Sequence, residues 1–171
     1  MLDNVLQQIT SQLDRHLRHC FQLSDDGAVL SNLLELDGTS VPSTLNTLVL
    51  FLVGIERNAN AHQVQDEEAH QHTRGSNVRL VNMNLLVMCA ANFSGKNYPE
   101  GLKFLSCAIQ FFQERPVLNH ENTPSLPPQL DKLILSIEAL SVSEMNKLWS
   151  VHTGRYLPSV LYRVQMVSTS S

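Results

Sequence analysis

No stretch of this sequence approaches the roughly 18 consecutive apolar residues that a membrane-spanning helix needs. Its longest apolar run, residues 48–53, is strand-sized. Apolar and polar residues alternate from the N-terminus through Asp25 without a continuous apolar segment, so no secretory signal is expected. Positive charge is also short. Lys and Arg total 12 against 16 Asp and Glu, for a net charge of -4, which leaves no basic footprint for a sequence-independent grip on nucleic acid. Glycine-rich phosphate loops, G-x-S-x-G and H-E-x-x-H are all missing. Those absences remove the usual signatures of nucleotide enzymes, serine hydrolases and zinc proteases, so neither an enzyme nor a cofactor is expected. Cysteine is sparse as well. Cys20, Cys89 and Cys107 form no C-x-x-C pair and each lies in an apolar stretch, so buried, reduced thiols suited to a reducing cytoplasm are expected.

What is present is ordinary globular material. The chain has 171 residues, 43% of them hydrophobic, enough for a single domain that buries about 70% of its unfolded surface. Leu2, Val5, Leu6, Ile9, Leu13, Leu17 and Cys20 recur at three- and four-residue steps and predict an amphipathic helix over 2–22. Turn residues 24–27 end it, and a short strand, or strand plus bend, is expected over 28–36. Residues 45–55 are apolar at nearly every position and read as a central strand buried on both faces, with Gly54 marking a bulge or a close backbone approach. Residues 57–77 turn abruptly polar, too poor in apolar groups to offset their ordering entropy, and predict a mobile loop.

The strand pattern resumes over 78–91 as an antiparallel partner of 45–55. A helix opens at Tyr98-Pro99-Glu100, is apolar around enough of its circumference to pack against two neighbours, and stops at Glu114-Arg115-Pro116. A half-exposed strand follows over 131–139. A short helix starting near Ser143 carries Trp149 and stops at Gly154, then a last alternating strand covers 159–167 and a polar tail covers 168–171. The order α-β-β-β-α-β-α-β predicts an α+β fold whose mixed, mainly antiparallel sheet is packed with helices.

Three histidines, His62, His70 and His72, share the polar loop with Asp66, Glu67 and Glu68. Their spacing fits no rigid metal site, and a solvated loop is the expectation. Cys107 with His120, or Cys89 with His152, could be paired on paper as thiol and imidazole. Cys107 lies between Phe104 and Phe111 on a helix, where a thiol is ordinarily inert packing. Trp149, Tyr156 and Tyr162 cluster around the last helix-to-strand corner. They serve either as core anchors or, with Leu157, Pro158, Ser159, Arg163 and Gln165, as a candidate partner interface.

Four segments carry a resemblance to a known family. They are residues 1–6 at the head of the first helix, residues 85–93, residues 98–117 with Gly101-Leu102-Lys103-Phe104-Leu105-Ser106, and the closing run from Met145 through Trp149 and Tyr156 to Val164. The sequence resembles the short tail-terminator, or cap, proteins of extracellular contractile injection systems, the phage-tail-like particles of the antifeeding-prophage and Photorhabdus virulence cassette type. The likeness runs through nearly the whole chain in the same order, with 58–77 outside it. Some members continue into a further C-terminal domain that this sequence does not include.

The resemblance implies a tail-terminator fold and a structural protein that assembles as a ring, a homohexamer, closing the inner tube and the last sheath layer. Its partners would be itself, the sheath protein and the tube protein, with no nucleic acid and no membrane. It would assemble in the bacterial cytoplasm into a particle capable of release. Sheath subunits of such particles exchange strands, so a terminator should offer a sheet edge, with 131–139 and 159–167 the expected edges. Two other readings stay open at this level: a baseplate or tube-end adaptor of the same particle, and a small cytoplasmic enzyme whose site carries no recognised signature.

Overall fold

The computed structural model describes residues 1–58, 83–152 and 155–169. The expected loop over 57–77 (beyond Arg57 and Asn58), the first residues of the strand over 78–91, the Gly154 helix stop and the end of the polar tail lie outside them. Among the described residues three α-helices and six strands form an α+β fold: α1 (Leu2–Phe21), β1 (Ala28–Leu30), β2 (Thr47–Arg57), β3 (Met83–Asn92), α2 (Tyr98–Glu114), β4 (Val117–Asn119), β5 (Leu130–Ile137), α3 (Val142–His152) and β6 (Ser159–Ser168). The strands make one sheet in the order β1-β2-β3-β6-β5-β4. β1 runs parallel to β2, and every other neighbouring pair is antiparallel.

Side-chain alternation assigns the two faces of this sheet. Leu48 and Leu50 of β2 stand opposite Ala91 and Cys89 of β3, and Val87 and Leu85 of β3 stand opposite Tyr162 and Val164 of β6. This first face is sealed by α1, through Val5, Ile9, Leu13 and Leu17, and by α2, through Phe104, Ala108, Phe111 and Phe112. α2 is apolar on two sides because it touches both the sheet and α1. The second face carries Val49 of β2, Met88 and Ala90 of β3, and Leu161 of β6, and Trp149 of α3 closes over them. Both faces of the central strands therefore bury apolar groups, which is why β2 and β3 read as nearly continuous hydrophobic runs.

Several local expectations hold with their physical reasons visible. The register shifts between Leu52 and Gly54, so Gly54 marks a bulge, and an added Cβ there would have only Leu86 at 3.8 Å. The bulge carries Ile55 round to the first face, opposite Leu85. α3 begins one turn-defining residue earlier than expected. Ser141 Oγ accepts from the Glu144 N–H while Glu144 Oε2 accepts from the Ser141 N–H, a reciprocal capping box.

Other expectations are corrected. β6 is an interior strand, paired with β3 on one side and β5 on the other, so 159–167 offers no sheet edge. Its alternation of polar and apolar residues reflects a partly open second face rather than an open edge. β5 is also not terminal, because the short β4, which no periodicity could announce in three residues, pairs with Lys132 to Ile134. The strand expected over 28–36 keeps only Ala28 to Leu30 in the sheet. Beyond it the chain bends back on itself, with Leu34 bridged to Ser40 and Asp37 Oδ1 accepting from the Thr39 N–H.

Over residues 162–165, which β3 and β5 flank on both sides, each backbone N–H of β6 points into one ladder or the other. Arg163→Pro is expected to cost about 3 kcal/mol or more and to abolish cooperative urea unfolding. A variant that unfolds like the parent would overturn the strand order.

Candidate partner interface

The helix-to-strand corner is built around Trp149. Its ring meets Phe51 of β2 edge-on and Tyr156 edge-on, each at a centroid distance of 6.1 Å. Its Nε1–H donates to Ser159 Oγ at 3.1 Å, and the same hydroxyl lies 3.7 Å from Met145 Sδ. The corner thus locks one turn of α3 to the first residue of β6 through one apolar body and one polar handle. Trp149 is only 3% exposed and Tyr162 likewise 3%, so both side chains face the interior of the chain. Tyr162 lies on the first face, its ring edge-on to Phe112 at 5.1 Å, and burial pushes its phenol above its ordinary range. Tyr156 is different, being 56% exposed. Leu157 and Pro158 are half-buried beside it.

Arg163 and Gln165 sit on the second face of β6, beyond the part that α3 covers. Arg163 Nε donates to Glu138 Oε2 at 2.8 Å, and its Nη1 reaches across β3 to Glu56 on β2. These hydrogen bonds hold the Glu138 carboxyl below its ordinary value and the Arg163 guanidinium above its own. The triad links β2, β6 and the residue that follows β5 on the polar end of this face.

The free edges of the sheet are β1 and β4. The Leu48 N–H donates to the Gly27 carbonyl and the Ser31 N–H to the Leu50 carbonyl, so residues 27, 29 and 31 face β2. Ala28 and Leu30 therefore turn their backbone groups outward, as does the N–H of Gly27, of which only the carbonyl meets β2. Asp14 of α1 occupies part of that edge: its Oδ1 accepts from the N–H groups of Gly27 and Ala28 at 2.7 and 3.1 Å, and its Oδ2 accepts from Arg18 Nε. Arg18 also pairs with Asp26. The approach is close enough that a Cβ on Gly27 would lie 2.9 Å from Leu17 Cβ, which only glycine avoids. Past the carboxylate, Leu30 borders an open groove of about 650 Å³ between α1 and β1.

The remaining candidates separate. His120 Nε2 lies 2.7 Å from the Leu130 carbonyl, so it serves the turn before β5. Cys89 is fully buried, and burial pushes its thiol up to about 12. Cys107 is pushed up to about 11, first by burial and then by the neighbouring Cys20 thiol. The expectation of three buried cysteines holds at Cys89 alone and is corrected at Cys107, which is half-buried, and at Cys20, which is exposed. The buried stripe of α1 continues from Leu17 to Phe21, whose ring stacks on Phe104 at 4.4 Å. His62, His70 and His72 lie outside the described residues, as do the other members of their loop. The Asp14 edge contact and the Glu56–Arg163–Glu138 triad carried no sequence signal, because their members come from distant parts of the chain.

This α+β fold is similar to that of one solved structure. That structure is described as the PVC sheath/tube terminator in extended state, from an extracellular contractile injection system. It superposes with a TM-score of 0.59 at 15% sequence identity, covering 100% of this chain and 57% of that one. At this identity the likeness is one of fold alone: an α+β domain that spans little more than half the length of the solved chain. The chain belongs to the Pvc16 N-terminal domain family, whose pattern matches residues 4–171. Among curated proteins none matches it by sequence.

Two outcomes test these contacts. Asp14→Ala leaves two edge N–H groups without their acceptor and is expected to lower the free energy of unfolding by about 2 kcal/mol, measured by urea titration. For Glu138, a folded-state pKa depressed below 4.5 means that its stabilisation is fully present above that value and is lost as pH falls through the folded-state pKa. The stability difference between pH 7 and pH 3 should therefore shrink in Glu138→Gln, by under ~1 kcal/mol because solvent screens the pair. An unchanged difference would show that the pair contributes nothing.

Proposed function

We propose that this chain is a non-catalytic assembly protein that caps the tube and sheath of a contractile injection particle and ends tail growth as a ring of identical subunits, a hexamer. The observation that carries this reading is the coincidence of family and fold: the match to the Pvc16 N-terminal domain runs over 4–171, and the terminator fold covers the chain end to end. The proposed partners are a second copy of the chain, the sheath protein and the inner tube protein, with no nucleic acid and no membrane. Among the described residues no helix is long and apolar enough to cross a membrane. Assembly would take place in the bacterial cytoplasm, within a particle capable of release.

The candidate interface divides into two roles in this proposal. Tyr156, Leu157 and Pro158 form a protruding corner suited to a partner's apolar surface, and Arg163 and Gln165 supply polar contacts on the open end of the second face. Trp149, Ser159 and Tyr162 act from inside by fixing the position of that corner. Strand addition, if the ring and sheath use it, falls to the outward backbone of Leu30 on β1 rather than to β5 or β6. A ring built this way needs head-to-tail contacts that close by rotation.

Deleting the gene and imaging the particles by electron microscopy tests the reading, with ragged, length-uncontrolled or absent tails expected. Normal capped particles would sink it. In the complemented strain, Leu30→Pro removes an outward N–H and trims a half-buried side chain at the margin of the core; it is expected to yield a folded chain, checked by circular dichroism, that fails to restore capped tails. Full restoration would remove the β1 edge from the proposal while leaving the capping role in place.

A further inference from the structure

The seam between α1 and α2 carries a cluster of donors that the capping role does not use. His16 and Cys20 lie one turn apart on α1, and Cys107 faces them from α2. One ligand atom from each, an imidazole nitrogen and two thiol sulfurs, lies within 4.8 Å of the others. His16 Nε2 and Cys20 Sγ are 3.4 Å apart. A tetrahedral Zn²⁺ with Zn–S near 2.3 Å and Zn–N near 2.0–2.1 Å separates sulfur from nitrogen by roughly 3.5 Å. The α1 pair therefore already has the spacing of one edge of such a tetrahedron, and Cys107 needs a shift of about one ångström or less to complete a face.

Packing fixes this arrangement from both sides. The His16 ring stacks on Phe111 at a centroid distance of 4.6 Å, one turn beyond Cys107 on α2. Phe21 stacks on Phe104 at 4.4 Å, one turn before it. Two aromatic stacks thus hold the helices in one register, with the sulfur atoms between them, and the imidazole plane is set before any ion arrives. Cys20 is exposed and Cys107 half-buried, so an ion has a path from solvent and a water can complete its coordination. Two thiolates balance the charge of a divalent cation, and the two sulfur donors favour a soft or borderline metal over Mg²⁺ or Ca²⁺.

We propose that His16, Cys20 and Cys107 form a Zn²⁺-binding site that staples α1 to α2, with water in the fourth position. The site lies on the helical side of the sheet, away from the Tyr156 corner and the Arg163 triad, and does not depend on the capping role.

The test uses the full-length protein, reduced and stripped of metal, titrated with Co²⁺ and then with Zn²⁺. One equivalent of Co²⁺ is expected to give visible absorption of a tetrahedral ion together with near-ultraviolet thiolate-to-cobalt charge transfer, and Zn²⁺ should displace it. Cys20→Ser changes an exposed group and leaves the core intact, and it should weaken Zn²⁺ binding at least tenfold and reduce the charge-transfer band. His16→Gln should weaken binding comparably, and Cys107→Ser should abolish the site. Excess Zn²⁺ should raise the Tm of the parent by about 5 °C and leave that of Cys107→Ser unchanged. Replacing His62, His70 and His72 together by Gln should alter none of this. Cobalt absorption without charge transfer, or binding that survives both cysteine variants, would place the metal on other histidines, such as His62, His70 and His72, and overturn the proposal. Absence of one-equivalent binding in the reduced protein would overturn it too, including the case in which Cys20 and Cys107 join only as a disulfide in air.

Discussion

Burial on both faces of β3, continued onto the neighbouring half of β6, is the constraint from which the remaining architecture follows. Leu85, Val87 and Cys89 point to one side of β3 while Met88 and Ala90 point to the other, and all five are almost wholly shielded from water. Such strands cannot stand at a sheet edge or leave a face open, because each exposed apolar side chain would forfeit about 1.5–3 kcal/mol. They need strands on both flanks and cover on both faces. β2 and β5 supply the flanks, α1 and α2 cover the first face, and α3 covers part of the second.

The two covers are unequal. The first face is sealed by two helices that also touch each other, so its packing is redundant. The second is covered by one short helix centred on Trp149, with Leu33, Leu34, Leu140 and Leu157 from outside that helix. Trp149 spans the gap between Phe51 and Tyr156, and its indole N–H ends on Ser159. Where α3 stops, the face turns polar, and Glu56, Arg163 and Glu138 close it with an ion triad. The partner surface proposed above is the rim around that corner. Exposed Tyr156 marks one end of it and Arg163 the other.

Much of this was legible in the sequence. The 3.6-residue stripe of α1, the two-sided apolar runs of β2 and β3, the Gly54 bulge and the Pro116 stop all arise from local patterns, and local patterns survive into the fold because burial acts on each residue's own side chain. The strand order was not legible. β6 alternates as an edge or half-open strand would, and nothing in its own residues tells that β3 and β5 flank it. β4 is too short to show a period. Cys20 fits the stripe of α1 by spacing, yet the stripe drifts to Phe21 because the available partner there is Phe104.

The sequence by itself determined the α+β class, the placement of the long elements and membership in a terminator-like family, since all of these follow from side-chain periodicity and from wording along the chain. Only the tertiary structure decided which strands are interior and where the edges lie. It also decided that Asp14 plugs the β1 edge, that Trp149 and Tyr162 face inward, and that Cys107 meets His16 and Cys20. The physical reason is the same in each case. Periodicity specifies how a residue relates to its neighbours in sequence, whereas pairing, burial and coordination depend on which distant segment arrives beside it.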